Sequence, residues 1–199
     1  MGMKPQTFVF LGPQGSGKGT QADQIVEYLH GESDRETLYF ETGAAFRELA
    51  EGNSETSLHV RESLNKGDIQ PSFLASRLWA DGFAKDLRKG MHLVVDGSPR
   101  TLLEARMLDE AFVFYDRTPV KVIHLTLPES VTYERLAERS RDDDHRGAIK
   151  RRLEEYNAKT VPVVEFYKDS DNYSYNQIDG EGAIDEIQQS IRSTINLHD

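Results

Sequence analysis

Nine consecutive residues, Gly12-Pro13-Gln14-Gly15-Ser16-Gly17-Lys18-Gly19-Thr20, stand directly after the apolar run Thr7–Leu11 and fit the spacing G-x-x-x-x-G-K. That spacing belongs to the phosphate-cradling P-loop. Its glycines let successive backbone N–H groups face one concavity, where a polyanion meets them. A helix opening near Lys18 adds the positive end of its dipole, and the Lys18 ammonium adds a full charge. Gly19 stands where Ser or Thr usually follows the lysine, and the hydroxyl arrives one residue later, at Thr20.

Three further groups have charges suited to the same chemistry. The run His92-Leu93-Val94-Val95 ends in Asp96. Beside a phosphate loop, a carboxylate closing a buried strand helps hold Mg²⁺ near Thr20, through water; alternatively it caps the next turn. Gly97-Ser98-Pro99-Arg100 follows and presents an arginine beside that carboxylate. Between Arg135 and Arg152 there are seven basic and four acidic residues, in a chain of net charge −10. Should Asp142 or Asp143 cap a helix, Arg141 and Arg152 lie about three turns apart on one face and converge on one anion. Arginine's planar fork suits phosphate oxygens in this role. Finally, Glu41-Thr42-Gly43 precedes Arg47 by about one turn. Thr42 is expected to cap the helix there, and Arg47 to grip a second phosphate.

Elements must bring these groups together. Apolar or β-rich runs recur at Thr7–Leu11, Thr37–Phe40, His92–Val95, Val120–Leu127 and Tyr173–Ile178. Helical spacing fills Gln21–Leu29, Phe73–Leu87, Thr101–Phe112 and Ala148–Val161 between them. This alternation predicts an α/β fold, a P-loop three-layer sandwich around a five-stranded parallel sheet. Residues 42–69 carry no strand signal and read as a small helical excursion. Ligands gather at the carboxyl ends of such strands, where every group above falls.

Composition narrows the function. With 34 acidic against 24 basic residues, a surface that wraps nucleic acid is not expected. The absence of cysteine removes disulfides and thiolate zinc sites and fits a reducing cytoplasm. No apolar run approaches a membrane span, and Met1–Pro5 lacks the apolar stretch of a signal peptide. The histidines show no metal-ligand spacing. Trp79 reads as core, and Asp142-Asp143-Asp144 as capping and arginine pairing in preference to a Mg²⁺ site.

Taken in order, Gly12–Thr20, Thr42-Gly43 with Arg47, Gly67-x-Ile69-x-Pro71, Asp96-Gly97-x-Pro99-Arg100 and Arg135…Arg139-x-Arg141-x-Asp143…Arg152 resemble the nucleoside monophosphate (NMP) kinases, adenylate kinase most closely. The resemblance covers nearly the whole chain, through Tyr156 and Ile178-Asp179-Gly180. It implies one domain over 1–199, with a core of 1–41 and 70–199, an NMP-binding subdomain at about 42–69 and a minimal lid at about 136–146. It implies that Gly12, Pro13, Gln14, Gly15, Ser16, Gly17, Lys18, Gly19 and Thr20 hold ATP with Arg135 and Arg139. The monophosphate falls to Thr42, Gly43, Arg47, Ile69, Gly97, Arg100, Glu104, Arg141 and Arg152. Lys18, Arg100, Arg135, Arg141 and Arg152 are the implied catalytic groups. Mg²⁺ is the implied cofactor, near Thr20 and Asp96, with no zinc. ATP and a nucleoside monophosphate are the expected partners of a cytoplasmic monomer that binds neither nucleic acid nor membrane.

Two departures stand out. A single residue, Ser140, separates Arg139 from Arg141, where the family carries a lid, so ATP hydrolysis is expected to leak more than in long-lid relatives. Glu104 replaces the family's base-reading glutamine. An ionised carboxylate only accepts hydrogen bonds, which suits the adjacent donors of guanine better than the mixed edge of adenine. AMP remains the first expectation, GMP the second. Another P-loop small-molecule kinase, or a nucleotide-binding regulator without transfer activity, are the rival readings. No Asn-Lys-x-Asp motif supports a GTPase.

Overall fold

The computed structural model describes residues 3–139 and 145–195. Five strands, β1 (Thr7–Leu11), β2 (Thr37–Glu41), β3 (His92–Asp96), β4 (Val120–Thr126) and β5 (Tyr173–Asp179), form one sheet in the order β2-β3-β1-β4-β5. All neighbours are parallel, with Phe8 beside Val94 and Lys121, and Glu41 beside Asp96.

Alternation along β1 shows why three layers result. Phe8 and Phe10 face helix α1 (Lys18–Glu32) through Ala22, Ile25 and Leu29, and Ile187 and Ile191 of the C-terminal helix Ile184–Thr194. Val9 and Leu11 face the opposite layer, where Trp79 and Phe83, then Leu108 and Phe112, then Val163 and Tyr167 complete a second core. Every residue of β1 and β3 is buried, which is why these strands read as unbroken apolar runs. Trp79 is core, as expected, and 4% exposed.

The excursion between β2 and β3 consists of α2 (Thr42–Glu51) and α3 (Glu55–Lys66), followed by α4 (Ser72–Asp86). Phe46, Ala50 and Val60 bury against Leu74 and Ala75 of α4, a small core separate from the sheet's. Ser54 caps α3 by accepting from Ser57 N–H. Gly67 ends α3 in the left-handed conformation, φ 79°. A Cβ there would lie 2.4 Å from the Ala148 carbonyl oxygen, so glycine lets the end of the excursion touch the far side of the chain.

Helices α5 (Leu102–Phe114), α6 (Glu129–Arg139), α7 (Arg146–Glu155) and α8 (Val161–Lys168) connect the remaining strands, and α9 (Ile184–Thr194) closes the chain. Two expectations are corrected here. Helix α7 begins at Arg146, and its cap is His145, whose Nδ1 accepts from Ala148 N–H at 3.2 Å, where a cap by Asp142 or Asp143 was expected; those aspartates lie outside the described residues. Of the pair expected on one face of this helix, Arg152 is in α7 and Arg141 lies outside the described residues. The helical stretch read as Ala148–Val161 is interrupted by a π-helical turn at Tyr156–Thr160. Pro162 supplies the reason: it has no N–H to donate one turn back, and its ring crowds the carbonyl there, so the turn widens. Ser140, Arg141 and the aspartates 142–144, the middle of the proposed lid, lie outside the described residues.

Candidate active site

The carboxyl ends of β1, β2 and β3 open on a cleft of about 650 Å³. It lies where the chain order reverses across the sheet, β1 sitting between β3 and β4. The loop after β1 forms its floor. Gly12 has φ 145°, and a Cβ there would meet the Leu125 carbonyl oxygen at 2.4 Å, so no other residue fits between β1 and β4. Gly15 and Gly17 are left-handed as well, and Gly17 caps α1 without a side chain, leaving the first N–H groups of that helix facing the cleft. Lys18 Nζ donates to the carbonyls of Gly12 and Pro13, both at 2.8 Å, and so arches over the loop.

Asp96 ends β3 beside this loop and is 6% exposed. Burial pushes its carboxyl up from the usual carboxylate range, while the neighbouring Lys18 charge pulls it down. The Tyr39 hydroxyl approaches Oδ2 at 3.5 Å, and Oδ1 has no partner among the described residues. A Cβ on Gly19 would stand 3.6 Å from Oδ2, so α1 passes close to the carboxylate and Thr20 opens onto the same cleft. A buried carboxylate oxygen without a donor, facing a phosphate loop, fits Mg²⁺ or its water shell. Among the described residues no cluster of three or more acidic or histidine groups could hold a metal ion.

Arginines converge from three elements. Arg47 of α2 donates from Nη2 to Glu41 Oε1 at 2.8 Å. Arg100 donates from Nε to the Gly97 carbonyl at 2.8 Å. Burial lowers the pKa of Arg100, and the Arg152 and Arg47 charges lower it further against the pull of Glu104 and Asp96. All three guanidinium-bearing residues, Arg47, Arg100 and Arg152, line the one cleft. Arg152 of α7 is 7% exposed and lines the cleft with Ile69 and Gly97. Arg135 of α6 donates from Nη1 to the Gly180 carbonyl at 2.9 Å, on the loop side. Arg139 belongs to the same helix.

Two expected monophosphate contacts sit elsewhere. Thr42 does not cap α2: Glu41 holds the N-cap position, and the Thr42 hydroxyl, 1% exposed, donates to Ser98 Oγ at 2.8 Å. It braces α2 against the Gly97–Arg100 turn. Glu104 is 1% exposed. Its Oε2 accepts from Arg100 N–H at 2.8 Å and its Oε1 from the Thr101 hydroxyl at 3.3 Å, at the start of α5. The residues lining the cleft do not include it.

Sequence reasoning missed a polar group beneath the loop. His124, on β4, places Nδ1 2.7 Å from the Tyr175 hydroxyl and Nε2 2.8 Å from that of Tyr156. Burial, with the Lys168 and Lys18 charges, lowers its pKa to about 4, so the ring is neutral and braces the π-helical turn that follows α7. A histidine inside an apolar strand was the available signal. Tyr39, Asp23 and Glu41, also on the cleft wall, were not singled out as ligands either.

A phosphate loop, an unpaired buried carboxylate and converging arginines across one cleft suit phosphoryl transfer. Residues 10–172 match the family model described as adenylate kinase. The chain belongs to the adenylate kinase family. Adenylate kinase 1 of Nostoc sp. is 29% identical over 188 residues, covering 94% of this chain and 97% of the relative. Adenylate kinase of Leptospira biflexa serovar Patoc is 31% identical over 192 residues, covering 94% and 98%. That of Xylella fastidiosa is 33% identical over 188 residues, covering 92% and 95%. As a member of the adenylate kinase family, the chain is a nucleoside monophosphate kinase. No helix among the described residues is long and apolar enough to cross a membrane.

Proposed function

We propose that the enzyme moves the terminal phosphoryl of Mg-ATP to AMP, giving two ADP. The single observation carrying this reading is the convergence of Arg47, Arg100 and Arg152 opposite the Lys18 loop, in a chain whose net charge is −10. Such a concentration of positive charge stabilises two phosphate groups brought end to end, and the charge that spreads over the group in transit. No protein nucleophile is required.

In this reading Gly12–Thr20 and Lys18 hold the donor phosphates, with Arg135 and Arg139 on the same side. Gly43, Arg47, Ile69, Gly97 and Arg100 receive the acceptor, and Arg152 serves the transferring group, a role the family resemblance gives to Arg141 as well. Thr42 acts by bracing the acceptor wall. Mg²⁺ near Thr20 and Asp96 would neutralise phosphate charge. The names of the relatives favour AMP as acceptor. The burial of Glu104 supports the same choice: its oxygens are engaged at the start of α5, so its charge does not select guanine.

Incubation with Mg-ATP and AMP, GMP, CMP or UMP separately, with each diphosphate quantified, tests the proposal. AMP is expected to react fastest. Faster transfer to another monophosphate would overturn the choice of base, and no transfer to any would reject the reading.

A further inference from the structure

Helix α5 buries Glu104, Ala105, Leu108 and Phe112. Its solvent side consists of Leu102, Leu103, Arg106, Met107, Glu110, Val113 and Phe114, all exposed. At 3.6 residues per turn these fall within about 140° of one face. A surface helix normally fills that arc with charged and polar groups. Here Leu102 and Met107 are each 39% exposed, Val113 57%, Leu103 59% and Phe114 77%. Together they leave roughly 500 Å² of apolar side chain in water from one helix, toward the upper end of what a monomer tolerates in a single patch. None of the seven lines the nucleotide cleft.

The face also reads almost alike in both directions from Leu108. Leu102 and Leu103 on one side answer Phe114 and Val113 on the other, and Arg106 answers Glu110. A two-fold axis across α5 at this level passes between Arg106 and Glu110. It sets Leu102 opposite Phe114, Leu103 opposite Val113, and each Arg106 opposite the other copy's Glu110. This is the self-complementarity that an isologous contact demands, and a random apolar patch lacks it. Doubling the apolar area gives roughly 1,000 Å², the lower bound of a specific and reversible interface.

We propose that the solvent face of α5 is a homodimer interface, on which a second copy of the chain packs its own α5 antiparallel, with reciprocal Arg106–Glu110 pairs. This is an alternative to the monomer expected from the sequence. The cleft stays open in the pair, so each copy keeps a complete site.

Sedimentation velocity over low- to high-micromolar protein tests it, with phosphoryl transfer recorded on every variant to report an intact fold. The wild type is expected to shift from monomer to dimer across this range, and Phe114→Glu to remain monomeric. Arg106→Glu alone sets Glu against Glu110, and Glu110→Arg alone sets Arg against Arg106; each is expected to weaken the dimer about tenfold or more. An equimolar mixture of these two variants restores both pairs and is expected to dimerise again. A wild type that stays monomeric throughout would overturn the proposal. So would single variants that dimerise as the wild type does, or a mixture that fails to recover.

Discussion

His92 ties the stability of this enzyme to pH in a direction the structure dictates. The ring is 0% exposed in the interior strand β3. Its Nδ1 accepts from Gln6 N–H at 2.9 Å and must therefore carry no proton. Its Nε2 has no partner among the described residues. Burial lowers the pKa from 6.5 to about 4, and the charges of Arg35 and Arg117 contribute. Each pKa unit is worth about 1.4 kcal/mol, so the shift amounts to something on the order of 3 kcal/mol.

A histidine whose folded pKa is depressed binds its proton in the unfolded chain first. The unfolded state thus takes up more protons between pH 6.5 and 4. Stability from this group is complete above pH 6.5 and is lost progressively as pH falls to about 4. Urea unfolding at a series of pH values measures the loss. The comparison is His92→Asn, whose side-chain oxygen can take the Gln6 N–H without titrating. His124 acts in the same window in both proteins, as do the carboxylates, so the difference between the two curves isolates His92. The variant is expected to lose about 3 kcal/mol less than the wild type between pH 6.5 and 4. Parallel curves would refute the reasoning.

Three further perturbations test the site. Gly12→Ala places a methyl 2.4 Å from the Leu125 carbonyl oxygen at φ 145°, and is expected to lower stability by at least about 2 kcal/mol and to abolish ATP binding; thermal unfolding and nucleotide titration that match the wild type would contradict this. Arg47→Ala removes a guanidinium from the acceptor wall and leaves the Glu41 carboxylate unpaired there. KM for AMP should rise about tenfold or more with KM for ATP unchanged, and an equal rise in both would move Arg47 out of the acceptor site. Glu104→Gln keeps an acceptor for Arg100 N–H, so the ratio of AMP to GMP turnover is expected to stay as in the wild type. A change of preferred base in steady-state assays would put residue 104 back at the base.

Residues that act through their neighbours in sequence were legible. The strands read from apolar runs match those observed to within a residue or two, because interior parallel strands covered on both faces are dominated by apolar residues such as Phe8–Leu11 and Leu93–Val95. The loop from Gly12 to Thr20 was equally plain, since its glycines supply backbone conformations that the next few residues need. The arginines were visible as a charge excess, and their number suggested a polyanion. Their partners were not visible. Glu104 was read against a base through the family resemblance, and Thr42 and Asp142 or Asp143 as helix caps on local pattern. In the folded chain Ser98 takes the Thr42 hydroxyl 56 residues away, and His145 caps α7.

What the sequence determined by itself was therefore the scaffold and the phosphate loop, whose forces act over one turn or one strand. Tertiary structure decided which charges meet. Arg47, Arg100 and Arg152 come from three separate helices and turns, and only their packing brings them to one cleft. The Oδ1 of Asp96 is buried without a donor among the described residues, which only the folded chain decides. Hydrogen bonding and burial depend on distance in space, and chain separation carries almost none of that information until the sheet has formed.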